Sequence, residues 1–144
     1  MKYIKQEKSH TCGVACVRMT LAAQGLLDVD EDTLEQIMGT SYETGTGYDS
    51  MISAADKFGL DQIHGGGTID FIEKLTKGGW TVVLAYTIFG APHYSIFLDC
   101  DQDHIYLCDP LFSERVCHRK DTFMWEIFDI GFETKNWYIA YKIK

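Results

Sequence analysis

One stretch constrains this chain more than any other: Gln6-Glu7-Lys8-Ser9-His10-Thr11-Cys12-Gly13-Val14-Ala15-Cys16. It sets a single cysteine where a polar loop becomes a helix. Thr11 suits the N-cap position, and Val14, Val17, Leu21 and Ala22 recur behind it at helical spacing. A thiol at a helix start meets unpaired backbone N–H groups and the positive end of the helix dipole. Both favour the nucleophilic thiolate. Upstream, Gln6 carries an amide donor that can point at an oxyanion. A cysteine nucleophile also needs a base within hydrogen-bond reach, and the base needs an orienting acceptor.

Five histidines compete for the role of base. His10 shares the loop of Cys12, His64 adjoins a glycine run, His104 lies in a polar turn and His118 in a charged segment. His93 alone opens a strongly apolar strand, Tyr94-Ser95-Ile96-Phe97-Leu98, in which a scaffold can hold a ring still. A hairpin turn centred on Asp101 would put His93 opposite Asp109, Ser95 opposite Leu107 and Phe97 opposite Ile105. Such pairs lie about 4.5–5.5 Å apart at Cβ. Pro110 follows Asp109, forces a turn and leaves the carboxylate at the strand end.

The first half of the chain reads as helices: Cys12 to Gln24 with Gly25 as the stop, a second from Asp30 to Gly39, a third over Asp49–Phe58, and a fourth over Ile69–Lys77 capped by Thr68. Gly65-Gly66-Gly67 lacks the Lys-Ser/Thr of a phosphate loop and reads as a flexible connection. The second half reads as strands, at Trp80–Tyr86, His93–Asp99, Ile105–Cys108, near Arg115–His118 and at Trp137–Ile143, with a short helix at Thr122–Phe128. Helices first and an antiparallel sheet second mean an α+β fold. Trp80, Trp125 and Trp137 read as core or groove wall.

Gln6, Cys12-Gly13, His93 and Asp109-Pro110, in this order, resemble the bacteriocin-processing C39 family of papain-like cysteine peptidases. Gly47-Tyr48-Asp49 before a helix ending at Phe58-Gly59-Leu60 is similar to that family's central helix, and Trp80 to Tyr86 to its first core strand. The resemblance implies one C39-like domain over residues 1–144, with N-terminal helices packed on a C-terminal antiparallel sheet. It implies that Cys12 attacks, His93 is the base, Asp109 orients it and Gln6 serves the oxyanion hole. It implies no metal or organic cofactor. The implied substrate is a peptide cut after a Gly-Gly-like pair, with a helical leader docked nearby. A membrane transporter is a possible partner, since a membrane ATPase follows the peptidase in transport-associated members. Two other readings stay open: a non-proteolytic acyl-transfer or amidohydrolase effector with the same triad, and an idle peptide-binding domain.

Composition narrows the partners. A net charge of −8 argues against nucleic acid and against an anionic membrane surface. Five cysteines without a C-x-x-C pair suit neither a complete disulfide framework nor a zinc site. The N-terminus lacks the apolar core of a signal peptide, and no apolar run is long enough to span a membrane. Reduced cysteines in a cytoplasmic setting are the resulting expectation.

Overall fold

The computed structural model describes residues 1–128 and 135–144, and the side chains of 125–127 lie outside that description, Trp125 among them. Four helices come mostly from the first half: α1 (Cys12–Ala23), α2 (Glu31–Met38), α3 (Tyr48–Phe58) and α4 (Ile69–Lys77). Six strands follow or interleave: β1 (Leu60–Gly66), β2 (Thr81–Ile88), β3 (Ala91–Cys100), β4 (His104–Asp109), β5 (Glu114–Arg119) and β6 (Trp137–Ile143). Between β5 and β6 a short helix, α5 (Lys120–Thr122), runs into a π-helical turn at Phe123–Phe128.

Local chemistry sets the helix ends. The Asp30 carboxylate accepts from Thr33 N at 2.8 Å and starts α2, and the Thr68 hydroxyl accepts from Phe71 N at 3.2 Å and starts α4. Gly39 and Gly59 close α2 and α3 in the left-handed conformation. Thr11 departs from expectation. It sits at the N-cap of α1 but its side chain makes no capping bond. Its hydroxyl turns back instead, donating to Lys8 O and accepting from Lys8 N, and so braces the loop ahead of Cys12.

The strands form one sheet in the order β1-β6-β2-β3-β4-β5, every neighbouring pair antiparallel. Alternate residues face opposite sides, so β2 and β3 feed two cores. Val83, Ala85, Tyr94 and Ile96 pack with Val14, Val17, Leu21 and Met51 from α1 and α3. Leu84, Tyr86, Phe97 and Leu107 pack with Ile72 of α4 and with Phe123 and Phe128. The result is α+β, with helices on both faces of the sheet.

Two expectations need correction. The Gly65-Gly66 pair is not a flexible connection: it ends β1, paired with Tyr138 and Trp137 of β6, and His64 lies in the same strand. Gly67 is needed for close approach, since a Cβ there would meet the Tyr138 ring at 2.8 Å. The β3–β4 register also differs. Phe97 pairs with Leu107, not Ile105, and Ile96 pairs with Cys108. The turn lies beyond Asp101, where Asp101 N donates to His104 O, and a bulge at Leu98 absorbs one extra residue of β3. Ahead of the bulge the displacement is two residues, which keeps Ser95 and Phe97 on their expected face, whereas beyond it Asp99 and Cys100 are displaced by three and change face.

Candidate active site

The nucleophile candidate is carried by α1. Cys12 is the first residue of the helix and half-buried, so its thiol opens onto a cleft. Gly13 behind it lets α1 approach the loop before α3. A Cβ at Gly13 would stand 2.9 Å from Thr46 Cβ and 3.1 Å from the Tyr94 ring. Tyr94 in turn donates from its hydroxyl to Thr46 O at 2.8 Å, which ties that loop to β3. The helix start, the 44–47 loop and the head of β3 are thereby packed as one wall.

His93 lies near the start of β3, and Asp109 ends β4. Both are buried. Asp109 Oδ1 lies 2.7 Å from His93 Nε2 and also accepts from Leu111 N at 2.9 Å. With Nε2 engaged, Nδ1 is the ring atom left to face the Cys12 thiol, which lines the same cleft and favours the charged ring. Burial opposes charge on this ring. Asp109 and Cys12 outweigh it and lift the His93 pKa from 6.5 to about 9. The register displacement explains how the pair forms without facing residues: the ring reaches diagonally along the same face of the sheet.

Gln6 is buried in the loop before α1, and its backbone N–H donates to Pro110 O at 2.9 Å. That bond joins the nucleophile loop to the Asp109-Pro110 turn. The side-chain amide donates to Lys8 O at 2.8 Å and to Ser9 O at 3.3 Å. Its Oε1 is buried without a hydrogen-bond partner among the described residues. Glu31, which sequence reasoning passed over, receives Glu7 N on both carboxylate oxygens at 3.1 and 3.0 Å and pins the same loop to α2. An acidic residue in the first turn of a helix is ordinary, so no local signal marked it.

Among the described residues, none of the other histidines bonds to this pair. His10 lines the cleft but bonds Glu35 through Nε2 at 3.2 Å. His64 pairs with Gln62, His104 lies near Asp101, and burial lowers the pKa of His118. Cys16 and Cys108 are buried with pKa values raised by burial, and Cys100 donates to Glu73. All five cysteines are free thiols. The cleft at Cys12 holds about 330 Å³, and its wall includes Thr46, Gly47, Tyr48, Pro92 and Tyr94. Tyr48 is fixed by stacking on Trp137, ring centres 3.9 Å apart. Among the described residues no cluster of His, Cys, Asp or Glu has the arrangement of a metal site.

Comparison with known proteins places this geometry in context. The family model described as "Peptidase C39 family" matches residues 1–128. No curated protein matches the chain. Among solved structures, the peptidase domain of Streptococcus ComA, a bi-functional ABC transporter of a quorum-sensing pathway, is 16% identical with a TM-score of 0.81, covering 99% of this chain and 98% of that one. A double glycine motif protease from an AMS/PCAT transporter, solved with its leader peptide, is 18% identical with a TM-score of 0.77, covering 99% and 91%. The peptidase domain of Streptococcus mutans ComA is 19% identical with a TM-score of 0.67, covering 98% of each chain. At such identities the likeness is one of fold.

Proposed function

The chain belongs to the peptidase C39 family, and from that premise we propose that it is a cysteine peptidase that cuts after a Gly-Gly-like pair. The observation that supports this reading best is the His93 ring bonded to the Asp109 carboxylate at 2.7 Å on the cleft that Cys12 also lines. In the proposed reaction the raised pKa keeps the proton on the His93 ring as the Cys12 sulfur adds to the scissile carbonyl. The same ring then gives the proton to the leaving amine, and a water hydrolyses the thioester by the reverse path. Asp109 keeps the ring in orientation. The Cys12 N–H, at the helix start with no helical carbonyl behind it, is one donor to the oxyanion. Gln6 is the second, through the N–H now on its longer bond to Ser9 O.

The wall of the cleft supports the proposed substrate preference. Thr46, Tyr48 and Tyr94 stand beside Cys12 and are fixed by their own bonds and stacking, so the wall does not retreat for a large side chain. Glycine has no Cβ to place there. The likeness to a double glycine motif protease solved with a leader peptide supports the same preference. The proposed substrate is a peptide with a helical leader. The proposed setting is cytoplasmic, where a membrane exporter would take the processed product. Among the described residues no helix is long and apolar enough to cross a membrane.

Mass spectrometry on a panel of leader peptides tests the reading. Cleavage after the second Gly is expected, and replacing that Gly by Val should stop it, since a β-branched residue adds bulk beside the attacked carbonyl. A product about one dalton heavier with an intact backbone would mean side-chain deamidation instead.

A further inference from the structure

We propose that the buried hydroxyls of Tyr86 and Ser95 form a positioning relay that holds Asp109 square to the His93 ring; this rests on reading Cys12, His93 and Asp109 as the reacting group. Tyr86 lies opposite His93 across the β2–β3 ladder, and its ring meets the imidazole edge-on at 5.5 Å. Ser95 is two residues along β3 on the same face. Ile96 pairs with Cys108, so Ser95 comes beside Asp109 at the next step of the ladder. The Tyr86 hydroxyl is 2.6 Å from Ser95 Oγ and donates to Asp109 Oδ2 at 3.4 Å. All three side chains are buried.

The bonds on Asp109 divide unequally between its oxygens. Oδ1 accepts from both His93 and Leu111 N. Turning the carboxylate about its Cβ–Cγ bond moves both oxygens together. The Tyr86 hydroxyl, bonded to the other oxygen, therefore adds to the resistance that His93 and Leu111 N offer to that turn. Proton polarity agrees. A phenol has one proton, so if Tyr86 gives it to Asp109, Ser95 must donate to the Tyr86 oxygen. The reverse order would turn oxygen lone pairs toward a carboxylate. Burial and then the Asp109 charge hold the Tyr86 phenol well above its usual range, so it remains a donor. Around this relay the sheet face is apolar, with Leu84, Phe97, Leu107 and Phe123. Phenylalanine and alanine would fill the same space without the cost of burying two hydroxyls.

The titratable groups facing the relay and the ring are Cys12 and Cys16 from α1, Cys108 and Asp109 from β4, and His118 from β5. The test uses Tyr86→Phe and Ser95→Ala in the full chain. NMR follows the His93 titration without any substrate, and kcat and KM are measured on a Gly-Gly leader peptide. Tyr86→Phe should move the His93 midpoint down from about 9 toward 6.5 as the carboxylate turns away. It should lower kcat about tenfold with KM unchanged, the lower end of what outer partners of metal-bound imidazoles cost. Ser95→Ala should do the same to a smaller extent. Variants that melt earlier but keep the wild-type titration and kcat would overturn the relay and leave a packing role. If Tyr86→Phe does not fold, Ser95→Ala decides alone: a lowered midpoint supports the relay and an unmoved one overturns it. If the wild type cuts no peptide, the peptidase reading fails while the His93 titration still decides this one.

Discussion

At the scale of single residues the account rests on His93, whose raised pKa links its charge to stability. A group raised from 6.5 to about 9 in the folded state contributes stability that is fully present below pH 6.5 and is lost as pH rises through about 9. Urea unfolding at pH 6 and pH 9.5 should therefore show a loss in the wild type, and Asp109→Asn should flatten that slope. An equal slope in both proteins would detach the ring from its carboxylate. Activity gives a second check. Asp109→Ala should be worse than Asp109→Asn, because an amide oxygen can still accept from His93. Unchanged turnover in Asp109→Ala would leave Asp109 with only its turn bonds to Leu111 N and Ser113 N. Gln6→Ala should cost on the order of 10²-fold in kcat, the scale of one oxyanion-hole donor. An effect confined to KM would move Gln6 from the reacting oxygen to the binding of substrate.

At the scale of elements the site depends on how closely α1, the 44–47 loop and β3 approach one another. Gly13→Ala should force Thr46 and Tyr94 apart, because the new Cβ would stand 2.9 Å from one and 3.1 Å from the other. Overpacking of this kind costs about 1–3 kcal/mol. The expected result is a lower melting temperature and a lower kcat/KM, with Tyr94→Phe sharing the kinetic loss through the missing bond to Thr46 O. Full activity in both variants would show that the wall does not set the geometry at Cys12. The elements themselves were largely legible. Ile69–Lys77 and Trp137–Ile143 stand where periodicity and flanking residues put them. The strand β1 was not, because Leu60-Asp61-Gln62-Ile63-His64-Gly65-Gly66 alternates weakly and finds its partner far along the chain in β6. Nor was the β3–β4 register, since a bulge at Leu98 leaves no local mark and the polar turn offers more than one centre.

For the molecule as a whole, order along the chain carried more information than any one residue. A helix-start Cys12, a strand-opening His93 and an Asp109-Pro110 turn meet because the sheet order brings β3 and β4 beside α1. The faces of His93, Ser95 and Phe97 came through the register error because it is a displacement of two there and side chains alternate with a period of two. What stayed hidden were the supports: Glu31 under the loop, Tyr94 on Thr46, and Tyr86 with Ser95 behind Asp109. Each is an ordinary residue of its element until tertiary contact assigns it a partner. The central claim is that Cys12 is the atom that attacks a Gly-Gly peptide. A thiol-reactive peptide ending in Gly-Gly, incubated with the folded protein and followed by peptide mapping, tests it directly. The account predicts modification at Cys12, lost in His93→Ala, with exposed Cys117 left unmodified under the same conditions. Modification of Cys117 in preference to Cys12, or labelling of Cys12 that is indifferent to His93, would contradict it.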